Sequence, residues 1–363
     1  MFKRVYNLKK NDGKFLKAVR KNIKRHIKKC PEYAKILKER NFSIGDLKTI
    51  SDICKIPPLP TIFLKNHALY SIKERRLMFK STTSGTSGKV GKIGFDLRSG
   101  LKWVGMIAGT FFYHRLLTLR PANYIILGYQ PAKHNKMGAV KTAYGATYTA
   151  PARRREYALK DNGAGYDLNI EGLKKALIRY AEKGKPVRFV GFPSYFFFLL
   201  NELKDAGIRL KLHKKSLVML GGGWKQFFSE SVDKPALYAL SQEVLGIGGD
   251  RIKEFFSAVE HPVFYADCKN HRFHVPVYSR VIIRDENLNP LPFGKAGILN
   301  FVTPMMTSMP FTSVLTDDLA VMYPGEACGC GIASPYFEVL GRVGLADLKT
   351  CAAGAAELLK TGS

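Results

Sequence analysis

The stretch from residue 170 to residue 256 leaves this chain few folds to choose from. Its hydrophobic pattern switches repeatedly between a helical period and short continuous apolar runs. Residues 170–183 have helical spacing, and 187–191 (Val-Arg-Phe-Val-Gly) read as a strand. Pro193 opens a helix over 194–206 that Gly207 ends. A strand at 217–220 closes on Gly221, Gly222 and Gly223, a helix covers 231–245, and a strand covers 251–255. Strand and helix in alternation predict an α/β fold of largely parallel sheets flanked by helices. Residues 274–283 and 297–302 look like strands with no helix between them, so the second half is expected to add a smaller antiparallel or barrel-like subdomain.

Upstream, residues 14–40 read as one or two basic amphipathic helices. Phe15, Val19, Ile23, Ile27 and 33–37 supply the apolar stripe, and Pro31 marks a break. Ile56-Pro57-Pro58-Leu59-Pro60 is stiff and extended. A strand is expected over 91–97, then a helix from a Ser99 cap to His114, then a buried strand at 124–128. Residues 130–165 have no clear period. Loops with short elements are expected there, with Arg153, Arg154 and Arg155 solvated.

The 363 residues are 46% hydrophobic, enough for a sizeable core. No apolar run is long enough to span a membrane, and no apolar region follows the basic N-terminus as in a signal peptide. Six scattered cysteines (30, 54, 268, 328, 330 and 351) fit a reducing cytoplasm better than a disulfide scaffold. The net charge of +29 is uneven: residues 1–40 carry 15 Lys/Arg against three Asp/Glu. Nucleic acid, acidic carrier proteins, nucleotides and anionic surfaces all fit such a charge, as does a merely solvated surface. No nucleic-acid module signature accompanies it, so nucleic acid is not the expected partner.

The hydroxyl- and glycine-rich stretch Thr83-Ser84-Gly85-Thr86-Ser87-Gly88-Lys89 suits polyphosphate. Glycines let backbone N–H groups turn inward, hydroxyls add donors, and lysine adds charge. Gly221-Gly-Gly-Trp-Lys225 follows one strand, Phe256-Ser-Ala-Val-Glu-His261 follows another, and Leu315-Thr-Asp-Asp-Leu319 and Gly341-Arg342 come later. In this order the motifs resemble the adenylate-forming superfamily of acyl and aryl ligases. Gly221-Gly-Gly-Trp-Lys225, Glu260-His-Pro262, Asp267-Cys268, His274-Val-Pro276, Cys328-Gly-Cys-Gly331 and Cys351 make the chain similar to acyl-protein synthetases of the LuxE type. Three positions depart from the superfamily pattern. Phe256-Ser257 replaces Tyr-Gly, Val259 replaces a threonine, and Asp317 replaces a glycine.

The resemblance implies ATP and Mg2+ as cofactors. It gives the ATP phosphates to Thr83, Ser84, Gly85, Thr86, Ser87, Gly88 and Lys89, and the adenine and acyl pocket to Gly221, Gly222 and Gly223. It gives magnesium to Glu260, the ribose hydroxyls to Asp318 and the nucleotide to Arg342. These residue types suit the chemistry, because a carboxylate attacking a phosphate brings like charges together and needs them neutralised and aligned. The resemblance further marks Cys351 as a self-acylated thiol that passes a carboxylic acid, possibly long-chain, to an acyl reductase partner. It implies an N-terminal-domain-like adenylate-forming core over 49–340, a basic helical region over 1–48, and a hinge-like segment and tail over 341–363, with the large C-terminal lid domain absent. Two alternatives stay open: a truncated acyl- or aryl-CoA ligase delivering to coenzyme A or a carrier protein, and a non-catalytic nucleotide- or nucleic-acid-binding scaffold. Cys328 and Cys330, with Cys268, His271 and His274, can be read as zinc ligands. The one-residue gap between 328 and 330 is tighter than usual and favours a turn with inert thiols.

Overall fold

The computed structural model describes residues 5–82, 92–132, 135, 138–224, 232–258 and 260–342. It divides into two compact units, Met1–Tyr113 with Ser257–Ser363, and His114–Phe256. The first opens with helices α1 (Asp12–Lys29) and α2 (Pro31–Glu39), with Pro31 in the first turn of α2. Strand β1 (Leu59–Pro60) leads into helix α3 (Thr61–Asn66), and β2 (Phe79–Thr82) pairs antiparallel with β3 (Lys92–Phe95). Helix α4 (Leu97–Tyr113) follows.

The second unit runs β4 (Ala122–Tyr129), α5 (Gly138–Ala146), β5 (Ala152–Asp161), β6 (Tyr166–Leu168) and α6 (Ile170–Glu182). It continues through β7 (Val187–Gly191), α7 (Pro193–Asp205), β8 (Leu217–Gly221), α8 (Lys234–Leu245) and β9 (Ile252–Phe256). Its strands lie in the order β9-β8-β7-β4-β5-β6, parallel except for the β5–β6 pair. Because β4 and β7 are buried along almost their whole length, they read as apolar runs broken only by the buried Asn123 and Arg188 and not as alternating strands. Leu173, Leu177 and Tyr180 of α6 and Phe196, Leu199 and Leu203 of α7 join Ile125, Phe189 and Val218 in one core. Each such side chain contributes roughly 1.5–3 kcal/mol of burial. Gly191 is required at the end of β7: its φ is 141°, and a Cβ there would strike the Leu127 backbone.

The chain then returns to the first unit with β10 (Tyr265–Ala266), β11 (Phe273–His274), β12 (Arg280–Arg284), β13 (Ala296–Val302), β14 (Ser313–Tyr323) and β15 (Tyr336–Arg342). Strands β11-β15-β14-β13-β12 form an antiparallel sheet, and β1 adds in parallel to β14. Parallel α/β and antiparallel parts are thus both present, as the periodicity predicts.

Four local expectations need correcting. Residues 130–165 hold α5 and the ten-residue β5, which alternation does not reveal because only Ala158 of β5 is buried. Arg155 is not simply solvated: it lies over the Tyr144 and Tyr148 rings and donates to Thr147. The α4 cap is Asp96, which accepts from the Ser99 backbone N–H at 3.0 Å. Ser99 itself is buried against Thr307, whose hydroxyl donates to Asp96. Finally, 274–283 is not one strand, since a turn at Pro276–Ser279 separates β11 from β12.

Helix α1 is less a solvated basic surface than a structural staple. Phe15, Val19 and Ile23 share a core with Val302, Phe311 and Val314. Asn22 donates to the Met306 carbonyl at 2.6 Å and accepts from Thr312. His26 is fully buried between Ser71 Oγ at 2.6 Å and the Met306 carbonyl at 3.2 Å. Burial holds its pKa down at about 4. A depressed histidine contributes stability that is complete above the unfolded value of about 6.5 and is lost as pH falls toward 4.

Candidate active site

In the first unit, the sheet and α3 gather a charged cluster. Strand β14 is buried from Ser313 to Thr316, then presents Asp317 and Asp318. Its neighbour β15 places Arg342 directly across from Asp318, with Arg342 Nη1 4.0 Å from Asp317 Oδ2. The proline-stiffened β1 pairs with Val314 and Leu315, so α3 starts beside β14 and brings Lys65 toward the acids. Glu260 arrives from the segment between Ser257 and β10 and is 6% exposed.

The electrostatics show how these groups act on one another. Burial pushes the Asp318 carboxyl up to about 6; Asp317 adds to the rise, and Arg342 and Lys65 oppose it. Burial likewise raises Glu260, with Lys65 opposing and Asp317 and Asp318 adding. Glu260 Oε1 is buried and has no hydrogen-bond partner among the described residues. Three carboxyls against two cations, one carboxyl oxygen buried and unsatisfied, is an arrangement that gains from a further positive charge.

Beside Glu260, His261 stacks on Phe301 with ring centres 4.3 Å apart and bonds through Nε2 to Tyr265 Oη at 3.0 Å. Ser279 Oγ donates to the Arg280 carbonyl, so Tyr265 donates to Ser279 at 2.6 Å and His261 Nε2–H donates to Tyr265. Burial drives the His261 pKa down to about 3, so the ring is neutral. It is a packed wall behind Glu260 and not an acid–base group.

Glu260, Asp318 and Arg342 of the sequence-derived set are therefore brought together. Gly221 ends β8 in the other unit, and Gly222 and Gly223 leave it in left-handed conformations at φ 84° and 66°. Trp224 packs edge-on to Phe197 there. Thr83, Ser84, Gly85, Thr86, Ser87, Gly88, Lys89 and Cys351 lie outside the described residues. Sequence reasoning missed Lys65, because no local pattern announces a lysine delivered by β1 pairing. It saw Asp317 only as a departure from a motif.

The fold is that of adenylate-forming ligases. It superposes on 2-hydroxyisobutyryl-CoA ligase in the postadenylation state with a TM-score of 0.69, at 17% identity over 94% of this chain and 70% of that one. An open conformation of that ligase gives 0.67, at 16% identity over 95% of this chain and 89% of that one. Within that class, the family described as acyl-protein synthetase, LuxE, matches residues 6–360, and the chain belongs to it. It is 25% identical over 371 residues to the long-chain-fatty-acid–luciferin-component ligase of Aliivibrio fischeri, covering 95% of this chain and 88% of the relative. The Vibrio harveyi ligase of the same name is 23% identical over 324 residues, 85% of this chain and 79% of the relative. A phenylacetate-coenzyme A ligase of Aromatoleum evansii is 23% identical over 325 residues, 86% of this chain and 66% of the relative.

Proposed function

We propose that this enzyme joins a long-chain fatty acid to AMP and then loads the acyl group onto its own Cys351 for delivery to an acyl reductase. A carboxylate oxygen of the acid attacks the α-phosphorus of ATP, the bond to pyrophosphate breaks, and an acyl adenylate forms. The Cys351 thiolate then attacks the acyl carbonyl, the bond to AMP breaks, and a thioester remains. Residues 341–363 serve as hinge and tail, and the reaction belongs in the cytoplasm, where thiols stay reduced. Among the described residues, no helix is long and apolar enough to cross a membrane.

The observation that carries this reading is the unsatisfied, buried Glu260 oxygen beside Asp317, Asp318 and Lys65. An oxygen-rich, anionic pocket fits a hard divalent cation, and Glu260 with Asp317 would hold Mg2+. When bound, magnesium neutralises phosphate charge that would repel the incoming carboxylate. Asp318 accepts from the ribose hydroxyls, and Arg342 offers its planar fork to the nucleotide. Lys65 adds a fixed positive charge to the acid cluster. Thr83, Ser84, Gly85, Thr86, Ser87, Gly88 and Lys89 take the β- and γ-phosphates, and Gly221, Gly222 and Gly223 line the adenine and acyl pocket.

The phenylacetate-coenzyme A ligase relative favours one other reading, transfer of the acyl group to coenzyme A. Exchange of pyrophosphate into ATP, measured over carboxylic acids from acetate to palmitate, tests the first step. Exchange that needs an acid and is strongest with long chains is expected. Absence of exchange with every acid would refute activation, and release of acyl-CoA on adding coenzyme A would favour the second reading.

A further inference from the structure

Away from the carboxyl cluster, Cys268, His274, Cys328 and Cys330 point their ligating atoms at a common centre, all within 4.8 Å of one another. Cys268 Sγ lies 3.6 Å from Cys328 Sγ, and Cys330 Sγ lies 3.2 Å from His274 Nε2. Ligands about 2.3 Å from a tetrahedral zinc ion sit roughly 3.8 Å apart, so the spacing is that of a metal shell. A disulfide would bring the sulfurs to about 2.05 Å. We infer that these four side chains form a structural zinc site of the three-cysteine, one-histidine type.

The surroundings support a ligand role for His274, Cys268 and Cys330. His274 Nδ1–H donates to the Ser334 carbonyl at 2.6 Å, which fixes the tautomer and leaves the Nε2 lone pair facing the centre. The Cys268 sulfur accepts the Asn270 N–H at 3.3 Å, and the Cys330 sulfur accepts the Ile332 N–H at 3.4 Å. Such N–H donors stabilise thiolates, the form in which cysteine binds metal. Gly329 and Gly331, at φ 68° and 90°, let the backbone wrap tightly around Cys330. That turn is why a one-residue spacing works here, despite reading from sequence as too tight. Asn270 Nδ2 donates to the Cys328 carbonyl at 2.6 Å and ties the two loops together. His271 pairs through Nδ1 with Asp267 at 2.7 Å and is not one of the four side chains whose ligating atoms converge.

Four protein ligands close the shell, so the site is structural and leaves no position for a substrate. Cys268 and His274 flank the turn into the two-residue β11, while Cys328 and Cys330 sit in the β14–β15 connection. The ion therefore fastens a very short edge strand to the hairpin whose far end carries Asp318 and Arg342. Binding converts three thiols to thiolates and releases their protons to solvent.

The test is zinc analysis of the untagged full-length chain after dialysis against a chelator. About one zinc per chain is expected, released when an organomercurial blocks the thiols. Cys268→Ser and Cys330→Ser should each lose most of the zinc, while Cys54→Ser, remote from the cluster, should keep it. Should the cluster variants fail to fold, cobalt substitution of the wild-type chain decides, with thiolate-to-cobalt charge-transfer bands and intense tetrahedral d–d bands expected. Less than about a tenth of a zinc per chain with no such bands would overturn the inference. So would full zinc retention in Cys268→Ser, or loss of a thiol pair to a Cys268–Cys328 disulfide in the metal-free protein.

Discussion

Glu260→Gln is expected to raise the thermal midpoint of the enzyme and, in the same protein, to cut acid-dependent ATP–pyrophosphate exchange by about 10²–10³-fold. The two effects have one cause. Glu260 is buried, one of its oxygens has no partner, and Asp317 and Asp318 stand nearby. A buried acceptor left unsatisfied costs about 1–3 kcal/mol, and its negative charge adds to that. Glutamine removes the charge and with it the carboxylate proposed to hold Mg2+. A carboxyl whose folded pKa is raised contributes stability that is present below its unfolded value and lost as pH rises through the folded value. The variant should therefore be more stable than wild type at pH 8, and the advantage should fade by pH 4.5. Calorimetry at the two pH values measures this. A destabilised variant with unchanged exchange would show that Glu260 is structural.

Asp318→Asn is expected to act in the same direction on stability and on a different step of function. Its folded pKa of about 6 against an ordinary 3.8 corresponds to a penalty of about 2–3 kcal/mol at neutral pH, which asparagine removes. In the proposed site the ionised carboxylate accepts from the ribose diol. Charge-assisted bonds contribute about 1.5–3 kcal/mol, so the KM for ATP should rise roughly 10–100-fold. In wild type, exchange should climb with pH through about 6 as Asp318 ionises, and this limb should vanish in Asp318→Asn. An unchanged pH profile and KM would remove Asp318 from the nucleotide site.

Much of the fold is legible in the sequence because its strands are short, apolar and bounded by glycine or proline. Val187–Gly191 and Pro193–Asp205 fall where the periodicity places them. Ala152–Asp161 does not, because a largely exposed strand carries no apolar alternation. Asp96 is masked as a cap in the sequence because Ser99 is also a good capping residue and only the fold buries it against Thr307. At the site, Glu260, Asp318 and Arg342 carry motif signals, whereas Lys65 depends on a parallel pairing between Leu59–Pro60 and a strand some 250 residues later. The zinc ligands are likewise 56 or 60 residues apart across each close pair. Spacing along the chain misjudges them, because the close approach is made by strand pairing and two glycines in the left-handed region.

The proposed route carries the acid, activated as its adenylate, onto Cys351. Its most direct measurement is peptide mapping of the enzyme after incubation with ATP, magnesium and a radiolabelled long-chain acid. Hydroxylamine-labile label on the peptide containing Cys351 is expected, absent from Cys351→Ala although that variant still exchanges pyrophosphate. Equal labelling of Cys351→Ala, or label on another residue, would contradict it.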